Sequence, residues 1–392
     1  MKAFISSLIA LISLFVATAH VAAQQEIEHK IPPGYQPEEA RDEQGIWMEM
    51  LEYETMLQKS PLLVRDADLN IYLRTVTCEV AGDYCPDIHI YLIRNPGFNA
   101  SMASTGMLLI WTGLLVRTTT TDELAAVIGH EIAHYTRLHT LERFRSIKTK
   151  LAAGSIFDMG LILATGYSVP VGQVVAVMSV LAYSRDQEAE ADLLGARIMA
   201  EAGMDPHAAY RVWNHVIEEE KAAAVKREKP GIFSKTHPNS AVRAIELEAW
   251  VTDRYGPADP DAANSDRHVA ALNDHYLFLM EDQLDTNRFG RTEEMLQRHV
   301  SMGFEKSLVH YFHGEMYRQR DEEGDRERAT NSYIKSIELG SPPPEAYKNL
   351  GYLSLKAKDM AQAREQFKKY LEINPDASDR AMIEFYLEED ES

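Results

Sequence analysis

The chain has 392 residues, enough for two domains, and its ordinary apolar content implies a packed core. A formal net charge of −20 excludes nucleic acid as the main partner, because phosphate binding needs a basic surface.

Residues Met1 to Ala23 read as a signal peptide. Lys2 is the basic start, Phe4 to Val16 a short apolar core, and Val21-Ala22-Ala23 a small-residue cleavage site. The apolar core falls short of the ~20 residues a membrane span needs, so cleavage is expected rather than anchoring. No cysteine follows the cleavage site, and nothing supports a lipid anchor. Gln24 to Arg41 is polar and loosely structured, with Pro32-Pro33-Gly34 inside it. Glu43–Lys59 and Asp66–Val76 read as helices. In an exported chain Cys78 and Cys85 are expected to pair, closing a short loop worth up to roughly 2.5 kcal/mol. The alternatives are two free thiols, or half of a zinc site for which only His89 stands near as a further ligand.

Asp87–Arg94 alternates apolar and polar residues, as a half-buried strand does. Asn95-Pro96-Gly97 is a turn. Asn99 to Ala103 leads to Gly106 and a second strand, Met107–Trp111. Small side chains at Ala100, Ser101 and Ala103 let another backbone approach, so this edge either takes up a substrate peptide as an added strand or is an ordinary edge.

The stretch Gly129-His130-Glu131-Ile132-Ala133-His134-Tyr135 holds an H-E-x-x-H pattern. Leu124, Val127, Ile128, Ile132 and Tyr135 recur at helical spacing, Thr121 is placed to cap the helix, and Asp122 and Glu123 put negative charge at its positive end. Residues four apart on a helix share a face, so His130 and His134 present two imidazoles to one point. That suits a tetrahedral zinc ion, one per chain, which takes neutral imidazole nitrogen at about 2.0–2.1 Å. Glu131, between them, is placed to take a proton from an attacking water. The competing reading is a helix with two surface histidines and a solvated glutamate.

Arg137, Arg143, Arg145, Lys148 and Lys150 form a basic cluster, either a solvated helix face or a contact for anionic lipid headgroups. Met159–Ala182 is the most apolar stretch outside the leader, broken by Gly166, Pro170 and Gly172. A single span there would set His134 and Glu188 on opposite sides of a bilayer. Two half-length helices reach only ~18 Å each, short of the ~30 Å hydrocarbon core. A buried hairpin is the expected form, with peripheral membrane contact as the alternative. The next helix, opening at Tyr183, carries Glu188 and Asp192 on one face. Glu188 can complete a His-His-Glu metal set, and Asp192 can hold the far nitrogen of a ligand histidine. Glu190 points elsewhere. His237, in Thr236-His237-Pro238, precedes a helix from Ser240 to Trp250 that carries Arg243. It is an electrophile beside the reacting oxygen, a fourth metal ligand, or a simple cap.

Residues 256–266 are rich in Pro, Asp, Ala and Asn and read as a linker, dividing a 24–255 metallopeptidase domain from a 267–392 helical repeat domain. From Pro344, a 34-residue register places Tyr347, Leu350, Gly351, Ala363, Phe367 and Pro375 on tetratricopeptide positions. Gly314, Tyr317, Ala329 and Tyr333 mark a second repeat, with a short insertion over Asp321 to Arg328. Ala270 to His299 would be a third, degenerate helix pair. Stacked pairs of this kind form a concave surface that takes peptides or partners. The other reading is a plain helical cap.

Together, His130-Glu131-x-x-His134, Glu188-x-x-x-Asp192 and Thr236-His237-Pro238 resemble peptidase family M48 over roughly Glu43 to Trp250, and within it the periplasmic BepA type that serves outer-membrane β-barrel assembly. The resemblance implies an α+β, mainly helical fold, with a zincin-like metallopeptidase domain built around a small sheet and an α-helical repeat domain after it. It implies His130, His134 and Glu188 as zinc ligands, Glu131 as general base, and His237 as a residue that closes the fourth zinc position and restrains activity. Asn99-Ala100 matches the family's substrate-side edge strand, but Ser101 to Thr105 departs from the family's usual aromatic and Pro-Gly character there. The implied function is a periplasmic zinc endopeptidase for misassembled envelope proteins, its repeats recruiting protein substrates or the β-barrel assembly machinery. A binding scaffold or chaperone with a latched or structural metal site is the rival from another class.

Overall fold

A computed structural model describes residues 27–38, 42–152, 183–228, 233, 237, 240–259 and 266–388. The apolar 159–182 stretch, expected as a hairpin, and residues 1–23, read as a signal peptide, lie outside these residues. Helix α1 (Asp42–Leu57) and α2 (Ala67–Ala81) come first. Asp66 caps α2 by accepting from the Leu69 amide at 3.0 Å. α2 runs on past Val76 because Leu73, Val76, Val80 and Ala81 keep the apolar stripe going. It ends at Gly82, where a short 3-10 turn (Gly82–Asp87) brings Cys85 back to Cys78, and the two are joined in a disulfide.

Three strands follow: β1 (His89–Ile93), β2 (Ala100–Met102) and β3 (Met107–Trp111), in the order β1-β3-β2. β1 runs parallel to β3 with His89 opposite Met107, and β2 is antiparallel to β3 with Met102 opposite Leu108. Every residue of β3 is buried, so both faces of the sheet are covered. Leu108 and Ile110 face the main core, while Met107, Leu109 and Trp111 pack with Met50 and Leu57 of α1. β2 therefore lies at a sheet edge, as the sequence implies.

A single turn, α3 (Thr112–Leu115), leads to α4 (Thr121–Thr136), which bears the H-E-x-x-H pattern. Its cap is Thr120 rather than Thr121: the Thr120 hydroxyl accepts from the Glu123 amide at 3.1 Å, and Thr121 is already in the helix. Apart from Asp122 the whole helix is buried, which makes it a core element rather than a surface helix. After α5 (His139–Ala152), α6 (Arg185–Glu201) opens on a capping box made by Ser184 and Gln187. α6 crosses α4 with backbone on backbone. A Cβ on Gly195 would lie 2.8 Å from the His130 amide nitrogen, and one on Gly129 would lie 3.1 Å from the Gly195 carbonyl oxygen. α7 (Ala208–Val225) and α8 (Ser240–Tyr255) close the bundle around this crossing.

Packing does not stop at the 256–266 stretch. α9 (Asp266–Asn273), α10 (Tyr276–Asp285) and α11 (Phe289–Ser301) share one apolar core with α2, α4 and α7. Beyond them, α12 (Lys306–Arg320) pairs with α13 (Asp325–Leu339), and α14 (Pro344–Lys356) with α15 (Met360–Ile373), before α16 (Arg380–Glu388). The two pairs repeat one contact. A Cβ on Gly314 would meet the Tyr333 ring at 2.6 Å, and one on Gly351 the Phe367 ring at 2.6 Å. Only glycine allows the rings to sit that close to the facing helix. No helix among the described residues is long and apolar enough to cross a membrane.

Candidate metal centre

The crossing of α4 and α6 brings one donor atom from each of His130, His134, Glu188 and His237 within 4.8 Å of one another, and all four residues are buried. His130 and His134 face each other through their Nε2 atoms at 3.1 Å. Glu188 stands 3.7 Å from His130 Nε2 through Oε2 and 3.6 Å from His134 Nε2 through Oε1. His237 Nδ1 lies 3.4 Å from His130 Nε2 and 2.9 Å from Glu188 Oε1. Donors bound tetrahedrally at zinc distances are about 3.3 Å apart, so the spacing of this set and its N, N, O, N chemistry fit the ion. Two imidazole nitrogens 3.1 Å apart beside a buried carboxylate suit a cation between them.

Each ring is held from behind. His130 Nδ1 faces Asp192 Oδ1 at 3.0 Å, which leaves Nε2 to carry the inward lone pair. Asp192 also accepts from Arg243 Nε and Nη2, both at 2.7 Å, and from Trp213 Nε1 at 3.2 Å. Burial alone would raise the Asp192 carboxyl, but Arg243 and His130 hold it well below the usual carboxylate range. Arg243 Nη1 also lies against Glu188 Oε2. Burial pushes Glu188 up, and His237 and Arg243 more than reverse this, so it stays a carboxylate. Burial drives His134 well below its ordinary pKa, which keeps it neutral, as a metal ligand must be.

The other ring, His134, has a support that the sequence did not reveal. Its Nδ1 is 2.9 Å from His139 Nδ1, and His139 Nε2 is 3.3 Å from Glu190 Oε2. Arg137 fixes Glu190 through Nε and Nη2 at 2.9 and 2.7 Å. The signal was a histidine five places after His134, past the end of the helix. Leu138 takes a positive φ of 59°, which turns the chain so that His139 comes back beneath His134. Tyr183 stacks on His134 at 3.8 Å between centroids, and Phe233 stacks on His237 at 4.4 Å. The Arg243, Trp213 and Tyr183 contacts were also not foreseen.

Glu131 lies beside the donor set and is fully buried, its carboxylate facing the Met102 backbone and without a side-chain hydrogen bond among the described residues. His237 Nε2 stands 3.7 Å from its Oε1. Burial raises the Glu131 carboxyl above its ordinary pKa, and this moves it toward the range of a base that works near neutrality. Asn99 and Ala100, named from the sequence for the substrate side, are buried at the start of β2, and Asn99 Oδ1 has no partner among the described residues. Two members of the basic cluster are engaged within the protein: Arg137 with Glu190, and Arg145 with Glu43 at 3.7 Å. The side chains of Lys148 and Lys150 lie outside the described set.

A buried helix bearing H-E-x-x-H, met by a carboxylate from a second helix, defines a zinc metallopeptidase centre of the zincin-like kind. Residues 65–251 match Peptidase family M48, and the chain carries an M48 peptidase domain. The mitochondrial metalloendopeptidase OMA1 of Schizosaccharomyces pombe is 31% identical over 173 residues, 42% of this chain and 47% of that protein. A putative beta-barrel assembly-enhancing protease of Vibrio cholerae is 27% identical over 197 residues, 47% of this chain and 40% of its own. The beta-barrel assembly-enhancing protease of Escherichia coli is 22% identical over 196 residues, 47% of this chain and 39% of its own. The matched part is thus less than half the length of each of these relatives.

Proposed function

We propose that this protein is an exported zinc endopeptidase that degrades misassembled or misfolded envelope proteins in the periplasm. The observation that carries the reading is the converged buried set His130, His134, Glu188 and His237 with the Glu131 carboxylate buried beside it. In this reading His130, His134 and Glu188 hold the zinc. When bound, zinc supplies Lewis acidity, polarising the scissile carbonyl and making water easier to deprotonate. Glu131 takes the proton of the attacking water and passes it to the leaving nitrogen. Asp192 and Arg243 keep His130 in one tautomer. The client lies along the outer edge of β2, next to Asn99 and Ala100, as an added strand. His237 Nδ1 stands where the fourth donor would be, so in the resting state it is a latch that must swing away before substrate reaches Glu131.

Export is supported by the leader-like Met1–Ala23 and by the Cys78–Cys85 bond, which suits an oxidising compartment. The α12–α15 pairs, read as tetratricopeptide repeats, would recruit substrate or outer-membrane assembly machinery. The test is Glu131→Gln: zinc content stays at one per chain while casein cleavage falls by about 10²–10⁴. Unchanged cleavage would refute the mechanism. A second reading, a helical-repeat chaperone or scaffold with a permanently latched centre, is favoured by the His237 contact alone. It predicts that deleting 303–392 abolishes function in cells while Glu131→Gln does not.

A further inference from the structure

A cleft of about 440 Å³ opens beside the metal centre, between the peptidase body and α10–α11. Phe98, Trp111, Val216 and Phe233 make its apolar wall, and Thr286 and Arg288, from the turn between α10 and α11, line it as well. Two of its wall residues also touch the centre or the strand beside it. Phe233, in its wall, is the ring stacked on His237. Phe98, edge-on to Phe233 at 4.8 Å, leads directly into Asn99 and strand β2. A chain laid along β2 past Met102 and Asn99 therefore runs toward this cleft.

The charges in the lining decide what would enter. Glu219 is neutralised by Arg117 at 2.8 Å and by Arg298, and Glu220 by Arg291 at 2.8 Å. Arg117 spends its remaining donors on the carbonyls of Pro96 and Gly113 and on Gln283 Oε1, each at 2.9 Å. Arg288 differs. Its backbone is bonded to Thr286 and Thr292, but its half-buried guanidinium has no hydrogen bond or ion pair among the described residues. A planar cation with open donors at the end of an aromatic-walled cleft is a receptor for a carboxylate.

We propose that this cleft is a substrate subsite in which Arg288 takes the side-chain carboxylate of an Asp or Glu in the client polypeptide. The proposal rests on the peptidase reading and deepens it, because it makes the C-terminal helices part of substrate selection rather than only a platform. Phe98 is four residues from Met102, ~13 Å at strand rise, so a client strand that passes β2 meets Arg288 several residues from the reacting bond.

The test uses the full chain carrying Glu131→Gln, which keeps the cleft but does not consume peptide. The probes are fluorescein-labelled decapeptides of Ala, Leu and Ser, capped at both ends. Each carries one Glu, or Gln in its place, three to five residues to either side of the centre. Fluorescence anisotropy should show the Glu peptide binding about 5–10-fold more tightly than its Gln twin at one of these positions. Adding Arg288→Gln should bring the ratio to about one, and Arg288→Glu should turn the preference to a Lys peptide. Arg326→Gln, in the distant α13, should leave the ratio as it was. A ratio near one at every position, or a preference that survives Arg288→Gln, overturns the proposal. Cleavage of the same peptides by the unmutated chain is scored separately. Its absence would count against the peptidase reading, while the binding ratio alone decides the subsite.

Discussion

The spacing of α4 and α6 should set metal affinity, and Gly195→Ala tests this with one methyl group. The new Cβ would sit 2.8 Å from the His130 amide nitrogen and 3.0 Å from the Gly129 carbonyl carbon, where ordinary contact begins at 3.4 Å. Both neighbours are backbone, so neither can rotate away, and the helices must part by about 0.6 Å. Metal–ligand distances tolerate only about ±0.2 Å. His130 and His134 ride on one helix and Glu188 on the other, so the separation falls directly on the donor set. Alanine would favour the helix by about 1 kcal/mol over glycine, but overpacking typically costs about 1–3 kcal/mol. The net expectation is a modest loss of stability and a much larger loss of zinc. Thermal melts with and without zinc, and competition with a chromogenic chelator, read the two effects separately. A variant as stable as the parent that holds zinc equally well would show that the helix crossing does not set the site.

Other consequences can be measured in the same way. Asp192→Asn removes the negative partner of both His130 and Arg243, so zinc affinity should fall about 10–100-fold, and an unchanged affinity in chelator competition would contradict the support role. Burial lowers His299 to about 3, against 6.5 in the unfolded chain. As pH falls below 6.5 the unfolded chain takes up this proton first, so stability drops, by about 2–3 kcal/mol between pH 7 and pH 4.5 from this residue. Urea midpoints should show that His299→Gln loses that part of the pH dependence, and equal losses in both proteins would refute the assignment. Ending the chain at Gly256 should leave a peptidase fragment without a cooperative melt, because the apolar core it shares with α9–α11 would be exposed. A sharp transition in that fragment would show that 24–255 folds alone.

The sequence revealed the centre because its chemistry has a short period. Two histidines at i and i+4, and a carboxylate and its helper at i and i+4, each report a face of one helix. Ala189, Ala191 and Gly195 are small residues that leave α6 open to close packing, and Gly195 is the point where the helices touch. Contacts between distant elements leave no such trace. Arg243 lies 51 residues beyond Asp192 and His139 turns back across a helix end, so neither role follows from spacing. The helix cap was misplaced by one residue because Thr119, Thr120 and Thr121 are chemically equivalent, and only the geometry selects Thr120. The Pro- and Asp-rich 256–266 stretch reads as a boundary because composition reports loops well and packing across them poorly.

That packing changes the part the C-terminal helices play. Leu115, Val116 and Arg117, shortly before α4, are each bonded to the C-terminal helices. His268 Nε2 bonds the Leu115 carbonyl at 2.9 Å, His299 Nε2 bonds the Val116 carbonyl at 2.6 Å, and Arg117 reaches Gln283. Tyr72 bridges α2 to His268 at 2.7 Å and lies 3.2 Å from the hydroxyl of Thr121 at the start of α4. These groups are buried, so each bond that opened would leave an unsatisfied polar atom in the core, at a cost of about 1–3 kcal/mol. The helix that presents His130 and His134 is thus seated on the same side chains that anchor α9–α11. A load on the repeats that shifted α9–α11 would reach the start of α4 through these bonds before it reached any loop. In the proposed reading, these bonds are the route by which recruitment at the repeats would be coupled to catalysis.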